Sequence, residues 1–272
     1  MMRRRKPLRL ILLLAALVLV LAALDQRVVL RRYTVDTGKL TAPVRLAVLA
    51  DFHGCDYGEN GSRLVEQVES LRPDAILMAG DMFSSDGDPA EELTMFRTLQ
   101  SIAPCYYVTG NHEYWEYHVP DLLEEIGETG VTVLDQTCVT VQLNGNTVNL
   151  CGIPDPYAGG QTAGHLRFAL RDADAQACTV LLAHRPELMD TYAAAGGIDL
   201  VLSGHAHGGQ VRIPFLVNGL CAPNQGFFPR YAGGLYQQGG TTMIVSRGLS
   251  TQLQMGIPRL FNRPELLLVE LQ

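Results

Sequence analysis

The feature of this sequence that most restricts its fold is a series of seven short apolar runs, which alternate with helical patterns along the body of the chain. Several runs are rich in Val, Ile and Leu without alternating polar residues, as expected for strands that are covered on both faces. Helical patterns and two loop-like stretches rich in Gly and Pro lie between them, so the sequence predicts an α/β fold. The predicted strands are at residues 45–50, 75–79, 106–108, 147–153, 179–183, 200–203 and 241–246, the helices at 62–71, 89–102 and 120–128, and the long loops at 153–164 and 213–234.

Polar side chains that can bind metals recur where these apolar runs end. In an open α/β sheet, the carboxyl ends of the strands are where sites assemble. Residues i and i+2 of an extended segment face the same side. We therefore expect the side chains of Asp51 and His53 to point to one place, and likewise those of His205 and His207. The segments are Asp51-Phe52-His53, Gly80-Asp81, Gly110-Asn111-His112-Glu113, His184 and Gly204-His205-Ala206-His207.

Five of the seven histidines lie in these segments. Imidazole and carboxylate ligands together favour Mn, Fe or Zn over Ca or Mg. Each segment alone is typical of a turn, a helix cap or a structural histidine, but the five together, each after an apolar run, predict a metal centre. No two of the six cysteines have CxxC spacing, which argues against a zinc ribbon or a thioredoxin-type site.

The ordered set of motifs resembles that of the calcineurin-like metallophosphoesterase superfamily, and the resemblance extends roughly from residue 45 to the C-terminus. Motifs in the last part of the chain are similar to those of the bacterial membrane-anchored or exported subgroup; they are Gly233-Gly234-Leu235-Tyr236, Val245-Ser246-Arg247-Gly248-Leu249 and Arg263-Pro264-Glu265. The resemblance implies a four-layer α/β/β/α sandwich with a dinuclear metal site at one edge.

By matching motifs, the resemblance implies two divalent metal ions (Mn, Fe or Zn) and assigns their ligands. The first metal would be held by Asp51, His53 and His207, the second by Asn111, His184 and His205, and Asp81 would bridge both. His112 would not be a ligand. It would protonate the leaving oxygen or stabilise charge on the phosphoryl group.

With this ligand set, two carboxylates and a shared hydroxide leave a net positive charge on two divalent ions, which would attract a phosphate. We therefore expect a dinuclear-metal-dependent phosphoesterase that hydrolyses a phosphodiester, phosphomonoester or pyrophosphate bond. A lipid-linked substrate at the membrane surface is the favoured one, while phosphorylated proteins, cell-wall phosphodiesters and nucleotides remain open. The alternative is a non-catalytic metal-binding scaffold with the same fold. Substrate-binding residues are not assigned.

The first 32 residues form a separate segment, and residues 33–272 are the predicted catalytic domain. A basic n-region precedes an apolar run at 10–24, which at ~1.5 Å per residue spans roughly 22 Å of the ~30 Å hydrocarbon core. The segment is either an uncleaved signal anchor, forming a single-pass transmembrane helix, or a signal peptide cleaved after Ala22. The absence of a clear Ala-x-Ala site favours the anchor. Eight of the 21 basic residues lie in this segment, and the five before the apolar run outnumber the three after it. This excess predicts a catalytic domain on the outer face of the cytoplasmic membrane, or secreted after cleavage.

Charge also restricts the partners of the body. Residues 33–272 carry 13 basic and 27 acidic side chains, and so acidic a surface repels a nucleic-acid backbone. We therefore expect no nucleic-acid partner. Export would permit disulfides, and the sequence leaves their pairing open.

Overall fold

Two six-stranded sheets form the frame of the computed structural model, which describes residues 5–85 and 87–272. Residues 1–4 of the predicted basic n-region lie outside the described residues. In chain order the strands are β1 (Val29–Val35), β2 (Val44–Leu49), β3 (Ala75–Ala79), β4 (Cys105–Val108), β5 (Thr132–Val133), β6 (Thr137–Leu143), β7 (Asn146–Gly152), β8 (Cys178–Leu182), β9 (Leu200–Ser203), β10 (Cys221–Ala222), β11 (Gly226–Phe227), β12 (Gly234–Gln238), β13 (Thr241–Val245) and β14 (Glu265–Leu271). The helices are α1 (Arg5–Ala23), α2 (Ser62–Ser70), α3 (Ala90–Ile102), α4 (Asn111–Glu116), α5 (Val119–Glu128), α6 (Thr162–Leu170) and α7 (Met189–Ala195).

The strands of both sheets are mostly parallel. The first sheet has the order β1-β14-β2-β3-β4-β5, in which β14 alone pairs in an antiparallel manner with β2. The second has the order β12-β13-β9-β8-β7-β6, with antiparallel pairs at its two edges. The strands β10 and β11 form a separate short hairpin.

Three buried apolar clusters hold the layers together. The central cluster joins the facing sides of the two sheets, with Leu46 and Leu77 from the first and Val180 and Leu202 from the second. A second cluster packs α2, α3 and α5 on the outer face of the first sheet, and a third packs α6 and α7 on the outer face of the second. The result is an α/β/β/α arrangement, and the predicted α/β fold class is confirmed. Covering of both faces of the central strands explains why their sequences lack alternating polar residues.

The N-terminal apolar run is helical. Most apolar side chains of α1 from Leu10 to Leu21 are more than half exposed, and the backbone N–H of Phe261 donates to the carbonyl of Ala23. In the described part of the chain, no helix is both long and apolar enough to cross a membrane. The predicted transmembrane helix is therefore not supported by the structure. β1 (Val29–Val35) runs across the predicted division between residues 32 and 33, and the division itself stays a prediction.

One disulfide joins the hairpin of β6 and β7. Cys138 and Cys151 lie directly opposite each other in the register of these strands, with their Cα atoms 3.9 Å apart. The sequence left the pairing of the cysteines open, and the structure pairs Cys151, which lies in a buried strand, with Cys138. The remaining four cysteines are buried as free thiols.

Candidate metal centre

The predicted ligands meet where the carboxyl ends of the two sheets face each other. β2, β3 and β4 are parallel neighbours, so Asp51, Asp81 and Asn111 follow them at the same edge. β8 and β9 deliver His184 and His205 from the second sheet in the same way. The structure thus brings these side chains together at the strand ends.

Two groups of buried side chains could each hold a metal ion. Within each group the ligand atoms lie within 4.8 Å of one another, and Asp81 belongs to both. In the first group, Nε2 of His53 lies 3.7 Å from Oδ2 of Asp81. In the second, Nε2 of His184 lies 3.2 Å from the same oxygen. The first group contains Asp51, His53, Asp81 and His207, and the second contains Asp81, His184 and His205.

The ligands converge through left-handed backbone turns. Asp51, His53, Asp81, His205 and His207 have φ values between 46° and 67°, a region that non-glycine residues seldom adopt. We expected the pairs Asp51/His53 and His205/His207 to converge because alternate residues of an extended strand face the same side. That explanation was wrong, since these residues are not extended. Each strand ends before the first ligand, and the left-handed turn redirects the side chain over the sheet edge.

Backbone N–H groups fix the two carboxylates. The N–H of His205 donates to Oδ1 of Asp51 at 2.8 Å, and the N–H of His112 donates to Oδ1 of Asp81 at 2.9 Å. Glu113 connects the neighbouring loops, because its buried carboxylate accepts bonds from the N–H groups of Gly110, Asp81 and Met82 at 2.6, 3.1 and 2.9 Å. Glu113 thus orients the loop that carries Asp81.

Hydrogen bonds outside the centre orient the two histidines of the second group. Nδ1 of His184 lies 2.8 Å from the carbonyl of Ala79, which leaves Nε2 facing Asp81. Nε2 of His205 lies 2.8 Å from Oδ1 of Asn224, and its Nδ1 points to His184 at 3.2 Å. Partners of this kind set which ring nitrogen is free to bind a metal. Sequence reasoning did not find Asn224, because it lies in a long loop without periodicity.

Several buried polar atoms at the centre have no hydrogen-bond partner in the described structure. A buried polar atom without a partner costs about 1–3 kcal/mol, so such a concentration indicates that these atoms serve to bind a ligand. All of these atoms are metal-ligand types, and Oδ1 of Asn111 gives the second group a further oxygen. They are Oδ2 of Asp51, both ring nitrogens of His53, Oδ1 of Asn111 and Nδ1 of His207. The residues present therefore fit two divalent cations.

Burial and neighbouring charges set the protonation states of these ligand side chains. Burial lowers the pKa of His53 to about 4 and also lowers those of His205 and His207, so the three rings are neutral and can donate lone pairs. Burial opposes the charged forms of Asp81 and His184. Their mutual attraction outweighs it, raising the pKa of His184 to about 10 and holding that of Asp81 well below its usual range. A cation bound beside Asp81 would take the place of the His184 proton.

Glycines leave room for the carboxylate of Asp51. A Cβ atom on Gly248 would lie 2.6 Å from Oδ2 of Asp51, and one on Gly204 would lie 2.9 Å from the same atom. Gly248 belongs to one of the C-terminal sequence motifs, but its position beside Asp51 was not expected. The backbone N–H of Ser250 also donates to the carbonyl of Asp51 at 2.6 Å, so this loop packs directly on the centre.

Asn262 supports the last ligand of the first group. Its Nδ2 donates to the carbonyls of His207 and Gln210 at 2.8 and 3.1 Å, and the residue is fully buried. Gly208 lies against the same amide, since a Cβ on Gly208 would overlap Oδ1 of Asn262. Sequence reasoning missed Asn262, because an Asn between apolar and loop residues has no distinguishing spacing.

His112 lies at the open side of the centre. Its ring packs edge-on against that of His53, with centroids 4.3 Å apart, and against Trp115 at 4.8 Å. Trp115 is half exposed and contacts Tyr157 at 5.5 Å, so two aromatic side chains form a rim beside His112. His118 lies outside the centre and is exposed beside Asp121.

A buried ion pair lies behind this rim. Nε of Arg185 donates to Asp155 at 2.5 Å, and Nη1 donates to Oδ1 of Asn224 at 2.5 Å. The guanidinium also lies over the ring of Tyr157, 5.7 Å from its centroid. Arg185 directly follows His184 in the sequence, but neither its partner nor its proximity to the rim could be read from that position.

Comparison with known proteins agrees with this geometry. A family model described as calcineurin-like phosphoesterase matches residues 44–209, more than half of the chain. The chain belongs to the calcineurin-like phosphoesterase family. The expected resemblance is thus confirmed, and the family together with the two groups of ligands fits a dinuclear metal centre. The individual roles of the seven ligands and of His112 stay predictions.

Relatives of this metallophosphoesterase come from distant organisms. An "Uncharacterized metallophosphoesterase" of Helicobacter pylori (strain J99) is 33% identical over 83% of the chain and 59% of its own length. A "Transmembrane protein with metallophosphoesterase domain" of Bos taurus is 31% identical over 84% of the chain and 53% of its own length. The chain therefore spans less than two thirds of either relative.

Solved structures share the fold of the metallophosphoesterase at low sequence identity. The 5'-nucleotidase precursor of Thermus thermophilus has a TM-score of 0.54 and 14% identity, over 77% of the chain and 50% of its own. The NAD nucleotidase of Haemophilus influenzae has a TM-score of 0.52 and 12% identity, over 77% of the chain and 46% of its own. At this identity the likeness concerns the fold alone.

Proposed function

We propose that the protein is a phosphoesterase that depends on two divalent cations of the Mn, Fe or Zn type. The observation that carries the proposal is the position of Asp81, which belongs to both groups of buried ligands. The unpartnered atoms of Asp51, His53, Asn111 and His207 support it. When bound, such a cation pair acts as a Lewis acid on the phosphoryl group and lowers the pKa of nearby water.

His112 is the residue that we propose to act on the leaving group. It adjoins the Asn111 ligand and is only partly buried, so substrate can reach its ring. Its backbone N–H is bonded to Asp81, and its ring is held between His53 and Trp115. These contacts fix the imidazole where it can donate a proton to the departing oxygen.

The rim favours a substrate that carries an organic group beyond the phosphate. A cavity of about 480 Å³ lies beside Tyr157, Arg185 and Asn224, next to the second ligand group. Trp115 and Tyr157 are 52% and 56% exposed, so they offer an apolar surface to a bound group. We propose a phosphodiester or pyrophosphate substrate, with a lipid-linked one favoured by the exposed apolar side chains of α1. We also propose the outer face of the cytoplasmic membrane as the location.

The proposal is tested with the His112→Ala variant of the full chain. We expect hydrolysis of bis-p-nitrophenyl phosphate to fall ~10²–10⁴-fold, the usual value of general acid catalysis, with two metal ions still bound per chain. His118→Ala is the matched control, because His118 is exposed outside the centre, and its activity should equal that of the wild type. Loss of metal from His112→Ala would contradict the assigned role.

Metal analysis separates the enzyme from a scaffold with the same fold. After repletion with Mn²⁺, the enzyme should hold two ions per chain and hydrolyse at least one of a phosphomonoester, a phosphodiester and a lipid pyrophosphate. Fewer than one bound ion, together with no turnover on all three substrates, would favour the non-catalytic scaffold. The same panel identifies the bond that the enzyme prefers.

A further inference from the structure

A second cavity, separate from the metal centre, is lined by three arginines. It has a volume of about 390 Å³ and lies between β1, the loop at residues 212–218 and the segment after β13. Arg31, Arg212 and Arg247 supply its charge, and Phe261 forms part of its wall. Gly233 makes room for two of them, because a Cβ there would lie 2.6 Å from Cγ of Arg247 and 3.4 Å from Nη1 of Arg212.

The positive charge of this arginine cavity is only partly neutralised. Nε of Arg247 donates to Glu265 at 2.5 Å, and Arg31 lies 3.9 Å from the same carboxylate. The charge of Glu265 also acts on Arg212, so one acid is shared among three guanidinium groups. Arg247 is only 7% exposed, and its buried Nη2 has no acceptor in the described structure. Burial lowers the pKa of Arg212, and the charge of Arg247 lowers it further. The cavity therefore offers an excess of positive charge, which suits an anion.

The edge of the arginine cavity is apolar and exposed. Phe215 and Leu216 form the tip of a tight turn, closed by two hydrogen bonds between Ile213 and Val217, and they are 108% and 83% exposed. The end of α1 reaches the same place, because Ala23 accepts a hydrogen bond from Phe261 in the cavity wall. Exposed apolar side chains beside a basic cavity are what a phospholipid contacts, with its acyl region on the tip and its phosphate among the arginines.

We propose that the arginine cavity binds the phosphate of an acidic phospholipid head group, with Phe215 and Leu216 in the acyl boundary. A free phosphate ion offers the same charge, but it would not use the apolar tip. The inference does not depend on the proposed hydrolysis, since none of these residues belongs to the metal centre. Arg212 also donates to the carbonyl of Gly208 at 3.4 Å, so the lipid site lies one loop away from the ligand His207.

The test uses the full chain in neutral maltoside micelles, titrated by calorimetry. One series of micelles carries phosphatidylglycerol, another carries phosphatidylcholine, and a third titration uses inorganic phosphate. We expect one phosphatidylglycerol per chain. The double variant Arg31→Gln/Arg212→Gln should bind it roughly 25-fold more weakly, at about 5-fold per arginine. The matched control Arg63→Gln/Arg171→Gln removes two exposed, ion-paired arginines elsewhere and should bind as the wild type does.

A second variant separates the lipid from the free ion. Phe215→Ser/Leu216→Ser should weaken the binding of phosphatidylglycerol without unfolding the chain, since both side chains are exposed; circular dichroism checks this. Equal affinity for inorganic phosphate and phosphatidylglycerol would overturn the proposal in favour of a soluble anion. An equal loss in the Arg63→Gln/Arg171→Gln control would overturn it in favour of diffuse charge attraction.

Discussion

Replacing Asn262 by alanine should disturb the metal centre, although Asn262 is not one of the candidate metal ligands. The amide Nδ2 donates to the carbonyls of His207 and Gln210, at 2.8 and 3.1 Å, in a fully buried site. In the Asn262→Ala variant both carbonyls lose a donor. Each carbonyl keeps a backbone donor, from Gln210 and Leu260 respectively. The loss is therefore that of two hydrogen bonds at about 0.5–1.5 kcal/mol each, and we expect the free energy of unfolding to fall by about 1–3 kcal/mol.

Metal binding should fall as well, because these bonds hold the loop that carries His207. Partners that orient a ligand are typically worth 10–100-fold in metal affinity, and we expect a loss in that range. Urea unfolding in EDTA measures the first effect, and competition of Mn²⁺ or Zn²⁺ with a chelating dye measures the second. Activity then recovers at high metal concentration, since His112 is unchanged.

The matched control is Asn149→Ala, in β7 of the second sheet. Asn149 is also fully buried, and its Nδ2 donates to the carbonyl of Asp174 and to Thr179. This variant should lose at least as much stability, since Oδ1 of Asn149 also accepts bonds from Thr140 and Asp174. It should keep wild-type metal affinity, because its bonds do not involve a ligand loop. If both variants lose metal affinity equally, or if Asn262→Ala binds metal as tightly as the wild type, the reasoning is refuted.

Three further outcomes are expected. Gly248→Ala should release metal, since its Cβ would lie 2.6 Å from Oδ2 of Asp51, whereas Gly145→Ala has a similar φ of 78° with open space around it and should keep metal; atomic absorption distinguishes them. Below pH 6.5 the unfolded chain protonates His53, while the folded chain does so only near its pKa of about 4. The difference in unfolding free energy between wild type and His53→Gln should thus fall by about 3 kcal/mol from pH 6.5 to 4, measured by urea unfolding in EDTA. Metal at 100-fold its dissociation constant should stabilise the wild type by about 2.7 kcal/mol over the EDTA form, and an unchanged melting temperature would contradict a metal centre.

The layered body could be predicted from the apolar runs, since strands covered on both faces leave a continuous hydrophobic signal. The runs at 75–79 and 200–203 coincide with β3 and β9. Strands whose faces are partly exposed were missed, including β6 and β12, and so was the buried strand β14. The turn between β6 and β7 is Asn144-Gly145, with φ values of 43° and 78°, a hairpin signal that was present in the sequence but was not used.

The sequence predicted the residues of the site that directly follow an apolar strand, and it did not predict the residues around them. Residues that act through tertiary contacts carry no local spacing, so Asn224, Asn262 and the pair Arg185–Asp155 emerged only from the structure. The α1 segment shows the opposite case. Its apolar run was evident, but hydrophobicity alone does not determine whether such a helix crosses a bilayer or lies against one.

The left-handed turns at the ligands connect the fold to the chemistry of the site. A residue with ordinary extended φ after β2 or β9 would continue the strand and direct its side chain across the sheet face, where the apolar layers leave no room. Each left-handed residue costs about 1–2 kcal/mol, and such strain persists only where the surroundings over-determine it. Here the buried strands fix the backbone before each turn, and bonds such as that from His205 N–H to Asp51 fix it afterwards. Because the ligand positions are held by the folded chain itself, two cations can bind to an arrangement that already exists. Burial, and after it the charge of Asp81, raises the pKa of Asp51 to about 7, and a bound cation would offset both effects.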